Sequence, residues 1–150
     1  MFIQKRSAFA LSLIITIFTP AWAGSPVEQA IDKREDLMKN LGKHIKGVKK
    51  ALGEGGSAAA DAAQIVSLTK TLVQDLKILF PENSDKGDSE AKPEIWTQWA
   101  DFEKAARSAS EKAKALHEAA GSGNHEAIAS AFKDMGGACK SCHQDYRAEK

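Results

Sequence analysis

Apolar residues recur along this chain at steps of three and four, the spacing of one face of a helix. The first stripe is Ile31, Arg34, Met38, Leu41, Ile45 and Val48. It predicts helix A over about Val27 to Leu52, stopped by Gly53. Ile65, Leu68, Leu72, Leu76 and Leu79 predict helix B from about Ser57 to Phe80, ended by Pro81. Helix C starts at Pro93, a residue suited to a first helical turn, and carries Ile95, Trp99, Phe102, Ala106, Ala109, Ala113, Leu116 and Ala120. Gly121-Ser122-Gly123 ends it, and Asn124 can cap the next helix. Helix D runs to about Arg147 with Ile128, Phe132, Met135, Cys139, Cys142 and Tyr146 in line. The stretches 53–63 and 81–93 read as connections, and strand signals are nearly absent. The expected fold is all-α, an antiparallel up-down-up-down four-helix bundle.

The stripe of helix D holds the only two cysteines, Cys139 and Cys142, with His143 directly behind them. At about 100° per residue, all three project within one arc of about 100°, towards the bundle interior. C-x-x-C-H is the attachment signature of a c-type haem. Two thiols form thioethers with the two vinyl groups, and the adjacent imidazole takes the iron as proximal ligand. Two other readings compete. A reactive C-x-x-C pair or disulfide usually sits at a helix N-terminus, where the dipole lowers thiol pKa values; here the pair lies near a C-terminus, and no βαβ pattern surrounds it. A structural zinc site needs four ligands, and no second Cys or His pair exists.

The N-terminal stretch changes the compartment. Lys5 and Arg6, the uncharged run 8–19, Pro20 and Ala21-Trp22-Ala23 form an export signal over residues 1–23, cleaved after Ala23. The apolar run is short for a membrane span, and an uncleaved anchor is the competing reading. One domain, 24–150, remains outside the cytoplasm, expected in a bacterial periplasm. The full chain has 21 Lys+Arg and 20 Asp+Glu, so losing Lys5 and Arg6 leaves one excess negative charge. That balance offers no field for nucleic acid and no polybasic segment for a membrane surface. No general base, nucleophile or polar substrate cluster stands out, so an enzyme is not expected.

"ACKSCHQDYR" on the fourth helix resembles the haem segment of the class II cytochromes c, the cytochrome c′ family. "KREDLMKNLG" is similar to the family's R-x-x-x-M-K segment, and "LFPENSDKGDSEAKPEIW" to its loop into the third long helix, more so to the loop of six-coordinate, low-spin members. The resemblance covers the chain beyond the export signal. It implies one covalent haem c on Cys139 and Cys142, with His143 as the proximal axial ligand. It also places Arg34 near a haem propionate, which would partner an otherwise awkward core charge; a snorkelling surface arginine is the bland reading. Arg147, four residues beyond His143, can flank the imidazole or a propionate. Trp96 and Trp99 are expected as core fillers, with Trp96 near the haem.

Met38 is expected as the second axial ligand. The ligand must come from another helix than His143, Met135 shares helix D, and Met38 lies in the inward stripe of helix A. A soft thioether favours ferrous iron and suits an electron carrier. Methionine is also a common gap-filler, and some high-spin family members carry one here without ligation. His44, His117 and His125 read as surface residues. Two functions therefore compete: an electron carrier serving unidentified redox proteins, and a five-coordinate protein that binds NO or CO. Family members often pair through helices A and B, so a homodimer is a further expectation.

Overall fold

The computed structural model describes residues 24–149. The export-signal reading of residues 1–23 lies outside the described residues. Helix α1 spans Pro26–Glu54, α2 Ala59–Gln74, the single turn α3 Leu76–Leu79, the single turn α4 Glu94–Thr97, α5 Trp99–Ser122 and α6 His125–Tyr146. The four long helices make the expected bundle. Helix α6 packs on α5, α5 on α2, and α2 on α1, whereas α1 and α6 meet each other far less. No helix among the described residues is long and apolar enough to cross a membrane.

Local chemistry sets the helix ends. Ser25 caps α1 in a reciprocal box: its hydroxyl accepts from the Glu28 amide at 3.2 Å, and its own amide donates to Glu28 Oε2 at 2.6 Å. The helix passes Gly53 and ends one residue later. The stop is Gly55 instead, whose φ of 79° is left-handed territory that L side chains resist. Asn124 caps α6 as expected, its side chain accepting from the Ala127 amide at 3.0 Å.

Two expected helices are interrupted. Helix B breaks at Asp75 (φ −102°, ψ 16°), yet Leu72, Leu76 and Leu79 stay buried across the break. Helix C breaks at Gln98 (φ −124°, ψ 42°), separating α4 from α5. Neither break involves glycine or an internal proline, so periodicity alone carries no sign of it.

The core has two parts. Around Phe102 lie Leu37, Leu72, Leu76, Leu79, Phe80, Ile95, Ala106 and Tyr146. Phe80 and Tyr146 both meet the Phe102 ring edge-on, at 4.8 and 5.0 Å between centroids. The other part is built of Val48, Ala58, Ala62, Ile65, Ala113, Leu116, Ala120, Ile128 and Met135.

Candidate functional site

A cavity of about 480 Å³ opens beside the aromatic part of the core, within the range of cofactor sites, about 300–1,000 Å³. Helix α1 contributes Arg34, Glu35, Met38, Lys39 and Gly42; the end of α6 contributes Cys142, His143, Tyr146 and Arg147; Phe80, Ile95 and Phe102 are apolar lining. The cavity thus sits where α1 and α6 fail to close on each other. Gly42 follows Met38 by one turn, and a Cβ there would meet nothing within 4 Å.

Met38 and His143 therefore border one space from facing helices. Cys142 lines it too and packs on the aromatic cluster, whereas Cys139, one turn earlier, packs on the second cluster. The two cysteines are not joined in a disulfide. Burial pushes the Cys139 thiol up, and Cys142 is pushed up to about 11 by burial, with Cys139 and Asp145 adding to it. Thiols held protonated in this way are unlike the thiolates of oxidoreductases. The zinc alternative gains nothing: among the described residues no group of three or more His, Cys, Asp or Glu is placed to hold a metal ion. The pKa of His143 is pushed down by withdrawal from water, then by Arg147, against an opposing pull from Glu90. The neutral imidazole, the form with a lone pair for a metal, is thereby favoured.

Arg34 is buried, which removes the snorkelling alternative. Its guanidinium donates to the Leu79 carbonyl at 3.2 Å, to Ser84 Oγ at 2.7 Å, to the Ser84 carbonyl at 2.5 Å and to Ser89 Oγ. It also lies 5.0 Å above the Phe80 ring centroid. The partner of this core charge inside the chain is thus the 79–89 segment, a role that residue spacing does not reveal. Desolvation lowers its pKa, against the pull of Glu35 and Asp85. Arg147 is not helical, as a continued helix D would have made it; its φ and ψ are −114° and 128°. It reaches the cavity all the same, and its Nε donates to Glu90 Oε2 at 2.6 Å.

Trp96 is half-buried against the aromatic cluster and donates to the Phe80 carbonyl at 3.2 Å; Trp99 packs on Phe102. Met135 is buried in the second cluster, away from the cavity lining. His117 is exposed as expected. His44 is not a surface residue: half-buried, its Nδ1 lies 2.8 Å from Asp61 Oδ1 of α2. The cause is Gly47 one turn on, where a Cβ would fall 2.0 Å from Asp61 Oδ2, so only glycine leaves room for that carboxylate. His125 is exposed, with Nε2 2.9 Å from the Leu52 carbonyl oxygen.

A four-helix bundle with C-x-x-C-H on its last helix and a cofactor-sized cavity beside it defines a haem c protein of the class II kind. The comparisons agree. The chain matches the cytochrome c′ family model over residues 29–147. It is 35% identical over 132 residues to the cytochrome c′ of Allochromatium vinosum, covering 85% of each chain. A solved cytochrome c′ with an unusual ligand-controlled dimer dissociation superposes with a TM-score of 0.76 at 35% identity, over 85% of this chain and all of that one. The nitric oxide complex of an Alcaligenes xylosoxidans cytochrome c′ variant matches with a TM-score of 0.64 at 26% identity, over 85% of this chain and 99% of that one. The chain belongs to the cytochrome c′ family, and its cofactor is one covalently attached haem c. The cavity fits that group: apolar and aromatic walls for a macrocycle, arginines for carboxylates, and cysteine and histidine at one edge.

Proposed function

We propose that the mature chain, residues 24–150, is a periplasmic electron carrier whose haem is held by Cys139 and Cys142, with His143 and Met38 as axial ligands. The observation that carries this reading is the placement of Met38 and His143 on facing helices of one cavity. When bound, the haem supplies an iron centre that cycles between ferrous and ferric states. His143 offers a neutral imidazole from α6, and Met38 offers a thioether from α1. Two side chains held by a rigid bundle would keep their positions in both oxidation states, which suits single-electron exchange. Arg34 and Arg147 would give the propionates cationic neighbours, and the aromatic wall would keep water off the macrocycle. We assign no catalytic step to the chain.

The second reading is gas binding, in which Met38 only covers an open iron face. The nitric oxide complex of the Alcaligenes relative favours it, and so does the family name, since typical cytochromes c′ are the five-coordinate members. The ligand-controlled dimer of the other relative makes a homodimer through α1 and α2 part of the same reading. Optical spectra of the oxidised and reduced holoprotein, with and without CO, separate the two. The carrier reading predicts low-spin spectra in both states and negligible CO binding. High-spin ferric iron with ready CO or NO uptake would replace it by the gas-binding reading.

A further inference from the structure

Helices α1 and α6 pack on each other far less than α1 on α2, α2 on α5 or α5 on α6, yet they carry Met38 and His143. A short segment ties them together. On one side, Arg34 of α1 holds Ser84 and Ser89, and the Ser89 hydroxyl also accepts from the Ala91 amide at 3.0 Å. On the other side, the next residues join the end of α6. The Ala148 amide donates to the Glu90 carbonyl at 2.8 Å, and the Lys92 amide to the Tyr146 carbonyl at 3.0 Å. Ala91 and Arg147 form an antiparallel bridge, Arg147 pairs with Glu90, and Lys92 Nζ donates to the Gln144 carbonyl at 2.7 Å. Ser89 and Glu90 are adjacent, so the two anchorages are separated by one peptide bond.

We propose that residues 84–92 are a strap that sets the separation of α1 and α6 across the cavity, and that Glu90 is a positioning residue for the Met38–His143 span. The two helices share the aromatic cluster through Leu37 and Tyr146 but pack directly on each other only slightly, so this segment adds a polar link between them. Charge-assisted hydrogen bonds such as those of Arg34 and Arg147 are the stronger kind, so both anchorages resist slipping. Loosening the strap lets α1 move away from α6, and a thioether that must reach across the cavity loses its reach first. The spin-state part of this proposal rests on the proposed Met38 ligation; the separation of the helices does not.

The test uses the holoprotein with one glycine inserted between Ser89 and Glu90, lengthening the strap between its anchors. The control inserts one glycine between Gly87 and Asp88, an exposed tip inside the Arg34 anchorage. Two readouts are taken: the ferric low-spin to high-spin ratio, and the pulsed electron-spin distance between labels on Lys43→Cys and Lys133→Cys. The 89/90 insertion is expected to lengthen the label distance and lower the low-spin ratio by about tenfold, the scale of losing one charge-assisted link, while the control changes neither. Glu90→Gln should shift both in the same direction, and Glu90→Asp should restore most of the loss. Glu90→Gln also decides the matter if the insertion does not fold. If both insertions lower thermal stability equally with unchanged distance and spin state, the strap is a plain loop and the proposal falls. If the unmodified holoprotein is high-spin, the Met38 reading falls, and the label distance alone judges the strap: a longer distance supports it and an unchanged one overturns it.

Discussion

The two ends of the bundle are built on opposite rules. At one end, Ala58, Ala62, Ala113 and Ala120 sit among Val48, Ile65, Leu116 and Met135, and several of these are fully enclosed. Small residues let helix backbones approach there, and the cavity beside this cluster, about 260 Å³ next to Ala58, Ala120 and Ile128, is about half the size of the one that Met38 and His143 line. At the other end, Phe80, Phe102, Tyr146 and Ile95 wall a cavity that the chain leaves open. The difference shows what a cofactor does in a small bundle: it replaces side chains that the sequence does not supply. One end should therefore be stable by itself and the other only with haem.

The largest effect expected is removal of the haem. Loss of packing across such a space costs several kcal/mol, on the order of a marginal domain's whole stability. Hydrogen exchange of the haem-free protein should keep protection around Ile65 and Leu116 and lose it around Phe102 and Leu79, in a molten, helix-rich state. Equal protection at both ends, with a melting transition as sharp and high as that of the holoprotein, would erase the distinction. Cys142→Ala should leave at most one thioether, read by mass spectrometry after denaturation.

Next in size is Leu116→Ala at the closed end. Chemical denaturation should show a loss of about 2–5 kcal/mol, as for other large-to-small core changes, with an unaltered haem spectrum. Met38→Ala inverts that pattern. Its side chain is only half-buried, so stability should fall by about 1 kcal/mol, while ferric iron turns high-spin and binds CO.

The smallest effects belong to two glycines of α1. Gly42→Ala adds a methyl group to open space, so the haem-free protein should gain up to about 1 kcal/mol from helix propensity. Gly47→Ala makes the same propensity gain but displaces Asp61 from His44, so its net change should stay within about 1 kcal/mol of zero. Helix content of the two haem-free variants, side by side by circular dichroism across a denaturant series, tests whether the chain or the cavity faces each glycine.

The sequence is most legible where spacing carries the information. The stripes locate the four long helices, Asn124 declares its cap, and C-x-x-C-H brings the family and haem c into view, although the arc expected to face the interior leaves both cysteines half-buried and His143 exposed. Elsewhere the deciding partner is distant in the chain. The partners of Arg34 lie 45 to 55 residues away, on backbone and serine oxygens that no periodicity marks. The angle of His44 on α1 points it to solvent, but Asp61 of the next helix reaches it through the gap at Gly47. The breaks at Asp75 and Gln98 leave no mark because the apolar stripes run straight through them. Helical spacing carries Arg147 on as part of helix D, and the helix stops one residue before it.

Ligation by Met38 opposite His143 is what separates a carrier from a gas-binding protein here. Proton NMR of the reduced holoprotein tests it most directly, because a methyl group held against the macrocycle face feels the ring current. With Met38 on the iron, its methyl resonance should lie far upfield of the normal aliphatic region and be lost in Met38→Ala. A reduced spectrum with paramagnetically broadened lines and no such methyl resonance would contradict it.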